Sequence, residues 1–135
     1  MESRPQGYST GSFGLHLKAR EMAKFGYLYL NDGQWNGKQL IPTNYIRKTT
    51  TKQNNVGPPV NLPYGYLWWV TQHENHPAFL SSGNGCRLIY IIPTLDLVVV
   101  TIASTEAARK NPHQTQEIQS LIPHFILPTL PKLLK

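Results

Sequence analysis

Residues 77–104 form the stretch that most strongly constrains how this chain can fold. Residues 78–82 are apolar and then small and polar, whereas residues 88–92 and 95–103 are rich in β-branched side chains and lack helical periodicity. A Gly-Asn-Gly sequence at 83–85 separates the first two segments, and both residue types adopt positive φ at little cost. The pattern therefore predicts antiparallel strands joined by a glycine-lined turn.

The serines before this turn extend it into a polar corner at 81–85, where the backbone can approach a ligand closely. Further along, the Pro-Thr pair at 93–94 predicts a tight connection between the second and third strands. Three consecutive valines at 98–100 break the polar alternation of a half-exposed strand, which favours a strand buried on both faces.

The remaining sequence predicts helices on both sides of this strand region, and hence an α+β fold in which helices flank an antiparallel sheet. Pro123 lies inside the last helical pattern and predicts a kink there. In chain order we expect an N-terminal loop (1–14), a helix (19–31), a loop or small hairpin (34–40), a short helix (44–50), a loop (52–63), an aromatic strand (64–70), a polar connection (71–77) and, after the strands, a linker and terminal helix (105–135).

Charge and cysteine content narrow the function classes. The chain has 13 Lys and Arg against 7 Asp and Glu, a net charge of +6, but the basic residues are scattered rather than clustered as in a nucleic-acid interface. A basic nucleic-acid-binding domain is therefore the weakest alternative, and no nucleic-acid partner is expected. The single cysteine, Cys86, excludes an internal disulfide and a multi-cysteine metal site.

The sequence contains no apolar run of about 18 residues, so no transmembrane helix is predicted. The N-terminal residues lack the apolar core of a signal peptide, which leaves the compartment open.

Three further groups of residues allow a functional and a structural interpretation. His73 and His76 beside Glu74 suggest zinc, but their spacing and polar surroundings favour a solvated loop, so no metal site is expected. Cys86 is interpreted as an ordinary strand residue rather than a reactive thiol. The aromatic side chains of the predicted strand 64–70 suit either core packing or the wall of an acyl pocket.

Several stretches together resemble one protein superfamily: GLHLKAREMAKFGYLYLNDGQWNGKQLIP, then YGYLWWV, then FLSSGNGCRLIYIIPTLDLVVVTIAS. They are similar to the C-terminal part of serine β-lactamases and penicillin-binding proteins, above all to the related esterases and amide hydrolases of the 6-aminohexanoate-dimer hydrolase type. The resemblance covers about residues 6–104 and implies that residues 1–135 are one partial domain of this kind.

Such enzymes use three motifs, Ser-x-x-Lys, Tyr-x-Asn or Ser-x-Asn, and Lys-Thr-Gly. By the order of segments, Ser81, Ser82 and Gly83 lie where the third motif would be, and the resemblance implies that they and Asn84 bind substrate. Ser82 matches the hydroxyl residue and Gly83 the glycine. Ser81 departs from the lysine, which argues against recognition of a penicillin-type carboxylate.

The nucleophile motif is absent, because no serine in the chain is followed three residues later by lysine. Thr49 and Lys52 have that spacing, and Tyr29 with Asn31 fits Tyr-x-Asn, but both matches are interpreted as chance. The expected catalytic set in this chain is therefore empty, no cofactor is expected, and the isolated chain is predicted to be inactive.

The resemblance leaves two function classes open. In the first, the chain is the C-terminal portion of a serine hydrolase that cleaves an ester or amide through an acyl-enzyme. In the second, it is a non-enzymatic binding or accessory module on the same scaffold. In the family the strand matching residues 97–103 pairs with a strand from the N-terminal part, so self-association through that open edge is expected here.

Overall fold

The computed structural model describes residues 14–57 and 61–130. Most of the N-terminal loop expected at 1–14 and the last residues of the segment 105–135 lie outside the described residues. The strands are β1 (Gln34–Trp35), β2 (Lys38–Gln39), β3 (Asn54–Gly57), β4 (Leu62–Tyr64), β5 (Trp69–His73), β6 (His76–Gly83), β7 (Arg87–Ile92) and β8 (Leu97–Thr101). The helices are α1 (Ala19–Leu30), α2 (Thr43–Thr49), α3 (Thr105–Lys110) and α4 (Gln114–Leu121).

A six-stranded antiparallel sheet in the order β3-β4-β5-β6-β7-β8 organises the fold, while β1 and β2 form a separate hairpin. The strands predicted from residues 77–104 are confirmed as β6, β7 and β8. The expected burial of the valine run on both faces is wrong, because every residue of β8 is only half-buried. A 3-10 turn at Pro93–Leu95 joins β7 and β8, and Asp96 follows it with a φ of 49°. The α+β class expected from the sequence is therefore confirmed.

Two hydrophobic clusters cover the two faces of the sheet. On one face α1 packs against β7 and β8, with Met22, Phe79 and Ile91 in the cluster. Gly26 permits this close approach, because a Cβ atom there would lie 2.7 Å from a methyl group of Val98. On the other face, Ile122 from the C-terminal segment packs against β6 and β7.

The C-terminal segment differs in detail from the expected linker and single helix. Residues 105–110, expected as part of a polar link, form α3 because the Ser104 hydroxyl accepts a hydrogen bond from the Ala107 N–H at 3.3 Å. The predicted effect of Pro123 is confirmed: α4 ends at Leu121, and the chain continues as a π-helical turn at Ile122–Ile126.

The prediction of a single aromatic strand at 64–70 is wrong, because a turn at residues 65–68 separates β4 from β5. The Gly65 N–H donates to the Trp68 carbonyl at 2.7 Å, and the Tyr66 N–H donates to the Thr49 carbonyl at 2.9 Å. A Cβ atom at Gly65 would lie 2.1 Å from the Thr49 oxygen, so only glycine allows this contact with α2. The aromatic side chains therefore do not share one strand face, as alternation suggested.

Two neighbouring segments expected as loop or connection contain strands instead. The region 52–63 includes β3, and the region 71–77 contains the tight turn of the β5–β6 hairpin, with His73 opposite His76.

No helix among the described residues is long and apolar enough to cross a bilayer.

Candidate functional site

The strand β6 continues beyond its partner β5 at the polar corner predicted from the sequence. The β5–β6 pairing ends at Trp69 and Leu80, whereas the β6–β7 pairing continues to Gly83 and Arg87. Residues 81–83 are therefore paired on one side only among the described strands. Because successive residues of an antiparallel strand direct their N–H and C=O groups to alternate sides, at least one of the three presents both groups to the open side.

The two serines at this open end of β6 lie on opposite faces of the sheet. Ser81 pairs with Ile89, which belongs to the cluster beneath α1, and Ser82 pairs with Leu88, which belongs to the opposite cluster. Both serines are half-buried. A ligand that approaches from one face therefore meets the hydroxyl group of only one of them. Strand alternation predicts the opposite faces, but the sequence did not reveal which cluster each serine faces.

Nothing inside the described structure explains why residue 83 is glycine. It is exposed, and a Cβ atom there would meet only Arg87 atoms, at an ordinary contact distance of 3.7 Å. Gly85 differs, because its φ is +73° and an added Cβ atom would lie 2.6 Å from a methyl group of Thr105. Gly85 is thus required by the fold, whereas Gly83 leaves open space beside the free end of β6.

The turn that follows is fixed by hydrogen bonds to the chain after β8. The Ala103 N–H donates to the Gly85 carbonyl at 3.0 Å, and the Thr101 hydroxyl donates to the Cys86 carbonyl at 2.8 Å. The Arg87 guanidinium donates to the Asn84 carbonyl at 3.1 Å. The open end of β6 is therefore presented by a constrained turn rather than by a free loop.

Cys86 is a structural residue of this turn. Its side chain is fully buried, and burial raises the pKa of the thiol above its ordinary value. The thiolate that nucleophilic or redox chemistry requires is therefore disfavoured at neutral pH. This supports the interpretation of Cys86 as an unreactive residue. Its expected place on a strand is wrong, because Cys86 lies in the turn between β6 and β7.

A cleft of about 840 Å³ borders the α1 side of this corner. Arg87 and Ile89, the pairing partners of Gly83 and Ser81, line it, together with Lys18 and Glu21 near the start of α1. The Glu21 carboxylate accepts a hydrogen bond from the Lys18 backbone N–H at 2.7 Å. The cleft thus lies on the sheet face that Ser81 shares with Gly83.

The chance matches to catalytic motifs have structural roles. The Thr49 hydroxyl is buried and donates to the Ile46 carbonyl at 2.8 Å, while Lys52 is exposed. The Tyr29 ring packs against Trp68, with 4.5 Å between ring centroids. These contacts explain both residues without catalysis.

The histidines expected in a solvated loop lie instead on two paired strands, and both are half-buried. His73 Nε2 is hydrogen-bonded to the Tyr90 hydroxyl, and His76 Nδ1 lies 2.8 Å from the Thr94 hydroxyl oxygen. Burial lowers the pKa of His73 and raises the pKa of Tyr90 to about 12. Within residues 14–57 and 61–130, no group of three or more His, Cys, Asp or Glu side chains could hold a metal ion.

Sequence reasoning missed the pairing of His73 with Tyr90 and the position of Arg87 opposite Gly83. The first pair is separated by 17 residues and depends on the strand register, for which no local signal exists. The second follows from the three-residue turn and could have been found by pairing the hairpin outward from residues 84–86.

Comparisons with known proteins identify relatives that are much longer than this chain. No family model matches. An uncharacterized protein from Alkalihalophilus pseudofirmus is 32% identical over 100 residues, which cover 64% of this chain and 29% of that protein. A solved structure described as a "putative 6-aminohexanoate-dimer hydrolase" from Bacillus anthracis is 30% identical, with a TM-score of 0.54, over 74% of this chain and 28% of that chain.

The chain therefore spans less than a third of the length of each of these relatives. The structural similarity supports a relationship to β-lactamase-like hydrolases and agrees with the α+β fold expected from the sequence.

Proposed function

We propose that this chain is the C-terminal portion of a β-lactamase-related serine hydrolase that cleaves an ester or an amide through an acyl-enzyme. The nucleophile and its base belong to a segment outside this chain, since the chain contains no Ser-x-x-Lys sequence. In this proposal the chain supplies the substrate-side strand, formed by Ser81, Ser82, Gly83 and Asn84 at the open end of β6.

The observation that carries the proposal is the unpaired end of β6 beside Gly83. A free strand edge presents backbone N–H and C=O groups that bind an extended substrate segment or a developing oxyanion. Space at Gly83 allows a substrate to approach the backbone closely, which a side chain at that position would hinder. The relationship to a hydrolase supports the assignment to bond cleavage.

The proposed chemistry divides the work between the two parts of the enzyme. The serine outside this chain attacks the substrate carbonyl carbon and loses its proton to the neighbouring base, the alcohol or amine leaves, and water then hydrolyses the acyl-enzyme. Residues 81–83 orient the substrate and donate hydrogen bonds that are strongest when the carbonyl oxygen becomes negative.

A non-enzymatic binding or accessory module is the second candidate. It is favoured by the structural roles of Thr49 and Tyr29, since neither residue is free to act as a nucleophile or base. In this case the open end of β6 and its bordering cleft would bind a ligand without cleaving it.

The coding DNA upstream of Met1 discriminates between these candidates. The hydrolase proposal expects an in-frame Ser-x-x-Lys sequence some tens of codons to a couple of hundred codons upstream. The longer product should then hydrolyse p-nitrophenyl butyrate and react with a fluorophosphonate probe, whereas the 135-residue chain should do neither. Absence of the upstream sequence, or labelling of the isolated chain above a denatured control, would overturn the proposal.

A further inference from the structure

A second cavity, of about 590 Å³, lies at the end of β6 opposite to Gly83. It is bounded by the β5–β6 turn, by Leu95 and by the C-terminal helical turns. His76 and Gly83 are the two ends of β6, and seven residue steps of a strand span about 23 Å. The cavity is therefore separate from the corner to which the hydrolase proposal refers, and its volume is in the range typical of small-molecule sites.

The wall of this cavity is mostly apolar. Leu95 follows β7, and Pro123, Leu127, Pro128 and Leu130 come from the C-terminal segment. The segment adopts this course because Pro123 interrupts α4 and the chain continues through a π-helical turn and then a 3-10 turn. Departures from α-helical geometry of this kind occur frequently at functional sites.

Three polar residues, His73, Glu74 and His76, line the remaining side. Each imidazole already has a partner, the Tyr90 hydroxyl for His73 and the Thr94 hydroxyl for His76. Glu74 has a φ of 51°, a left-handed conformation that is unfavourable for a glutamate. A positive φ is what a two-residue hairpin turn requires, and the β5–β6 turn thus holds Glu74 at the rim of an apolar cavity.

Among the described residues, the lining of this cavity is acidic although the chain as a whole is basic. Lys and Arg outnumber Asp and Glu by 13 to 7 overall, yet no Lys or Arg lines the cavity among the described residues. Glu74 is its carboxylate, and burial favours the neutral form of His73 by lowering the pKa of that side chain. A cation is therefore attracted to this part of the rim, while an anion is repelled by the Glu74 carboxylate.

We propose that this cavity binds a small aliphatic ammonium compound. Its cationic group contacts the Glu74 carboxylate at the rim, and its hydrocarbon chain lies against the leucine and proline side chains of the wall. The apolar contact supplies most of the affinity, and the carboxylate selects the charge of the ligand.

The test compares three ligands with the same carbon chain on the whole 135-residue protein. Hexylammonium, hexan-1-ol and hexanoate are titrated at neutral pH and followed by NMR signals of the His73 and His76 rings. We expect saturable binding of hexylammonium up to about fivefold tighter than hexanol, the upper end of the gain from an exposed charge pair, and the weakest binding for hexanoate. Equal affinities for the three ligands, or no saturable binding of hexylammonium, would contradict the proposal.

Two matched variants test the role of the carboxylate. Glu74→Gln keeps the side-chain size and the strained backbone and removes only the charge, so the preference for hexylammonium over hexanol should disappear. Glu106→Gln is the control, because Glu106 is exposed and pairs with Lys110 at 3.0 Å away from the cavity, and it should leave the preference unchanged. The same loss in both variants would show a general charge effect and overturn the assignment.

A third variant tests the apolar wall. Leu130→Ala should weaken hexylammonium and hexanol by a similar factor, because both ligands use the same hydrocarbon contact. Unchanged affinity for both would exclude this wall as the binding surface. These outcomes do not depend on the hydrolase proposal, which concerns the other end of β6.

Discussion

The two ends of β6 differ in how they present polar groups. At Gly83 the strand has lost its partner on one side and offers backbone groups, whereas at His76 it is paired with β5 and the polar groups are side chains. The first end suits a ligand that is recognised through hydrogen bonds to the main chain. The second suits a ligand selected by shape and charge, so the two proposals assign different chemistry to the two ends of one strand.

The largest expected effect comes from the buried middle of β6, which both ends share. Leu80 is 1% exposed and lies in the cluster beneath the C-terminal segment. Leu80→Ala should reduce the free energy of unfolding by about 3 kcal/mol, because it removes buried methyl groups and leaves a cavity. Urea denaturation measures the loss, and hydrogen exchange should show faster opening at both ends. Faster exchange at one end alone would show that the two ends unfold independently.

Two glycine substitutions sharpen the description of the corner. Gly85→Ala should destabilise the protein by about 2 kcal/mol, because alanine is strained at positive φ and its Cβ atom would approach Thr105. Gly83→Ala should change stability by less than about 1 kcal/mol, because the Cβ atom has space. Thermal denaturation of both variants checks the difference, and equal destabilisation would remove Gly83 as a position with space for a ligand.

The opposite end of β6 should show a pH dependence of its own, because the pKa values of Tyr90 and His73 are both shifted by burial. Because burial raises the pKa of Tyr90 to about 12, the folded state retains the proton that the unfolded state loses near pH 10. Stability should therefore be unaffected by this group below about pH 10 and fall by up to about 2 kcal/mol as the pH rises from about 10 to about 12.

The matching change at acid pH comes from His73, whose pKa is lowered by burial. The unfolded state binds a proton below about pH 6.5 while the folded state resists it, so stability falls as the pH drops through the lowered pKa. Tyr90→Phe should reduce the alkaline loss and leave the part that comes from the buried Cys86 thiol, whose pKa is also raised, with denaturation curves at pH 7 and pH 11 as the measurement. An undiminished alkaline loss in this variant would assign it to groups other than Tyr90.

A pair of serine substitutions tests the corner in the longer hydrolase that we propose. Ser81 and Ser82 lie on opposite sheet faces, so only one alanine substitution should reduce kcat/KM, and by analogy with the family motif we expect Ser82→Ala to do so. Loss of one hydrogen bond in the transition state typically costs about 1–3 kcal/mol. A kcat/KM equal to that of the parent enzyme in both variants, with stability unchanged, would exclude the serine hydroxyl groups from the site.

The smallest expected effect concerns a second unpaired edge, on β8. Among the described strands β8 pairs only with β7, and we propose that residues 97–103 promote self-association of the chain. Ile102 is 48% exposed just beyond the strand, so Ile102→Lys adds a charge there without disturbing the core. Light scattering after size-exclusion chromatography should show less association for this variant. A monomeric parent chain at the same concentration would contradict the proposal.

The sequence by itself determined the elements with strong local signals. The apolar segment at 78–82, the β-branched runs after it and the turn residues between them identified β6, β7 and β8. Apolar residues spaced by three and four identified α1, which ends at Leu30, one residue before the expected end. The position of the polar corner followed from the Gly-Asn-Gly turn, because the preference of glycine and asparagine for positive φ is a local property.

Only the tertiary structure decided the features that depend on distant partners. The aromatic stretch forms a turn because Gly65 packs against the Thr49 carbonyl, a contact that no local propensity records. The open end of β6 exists because β5 stops opposite Leu80, and the packing of the sheet decides that Ser81 shares a face with the α1 cluster and Ser82 with the opposite cluster. Strand register and packing between elements are set by the burial of the whole core, so they appear only when the chain is folded.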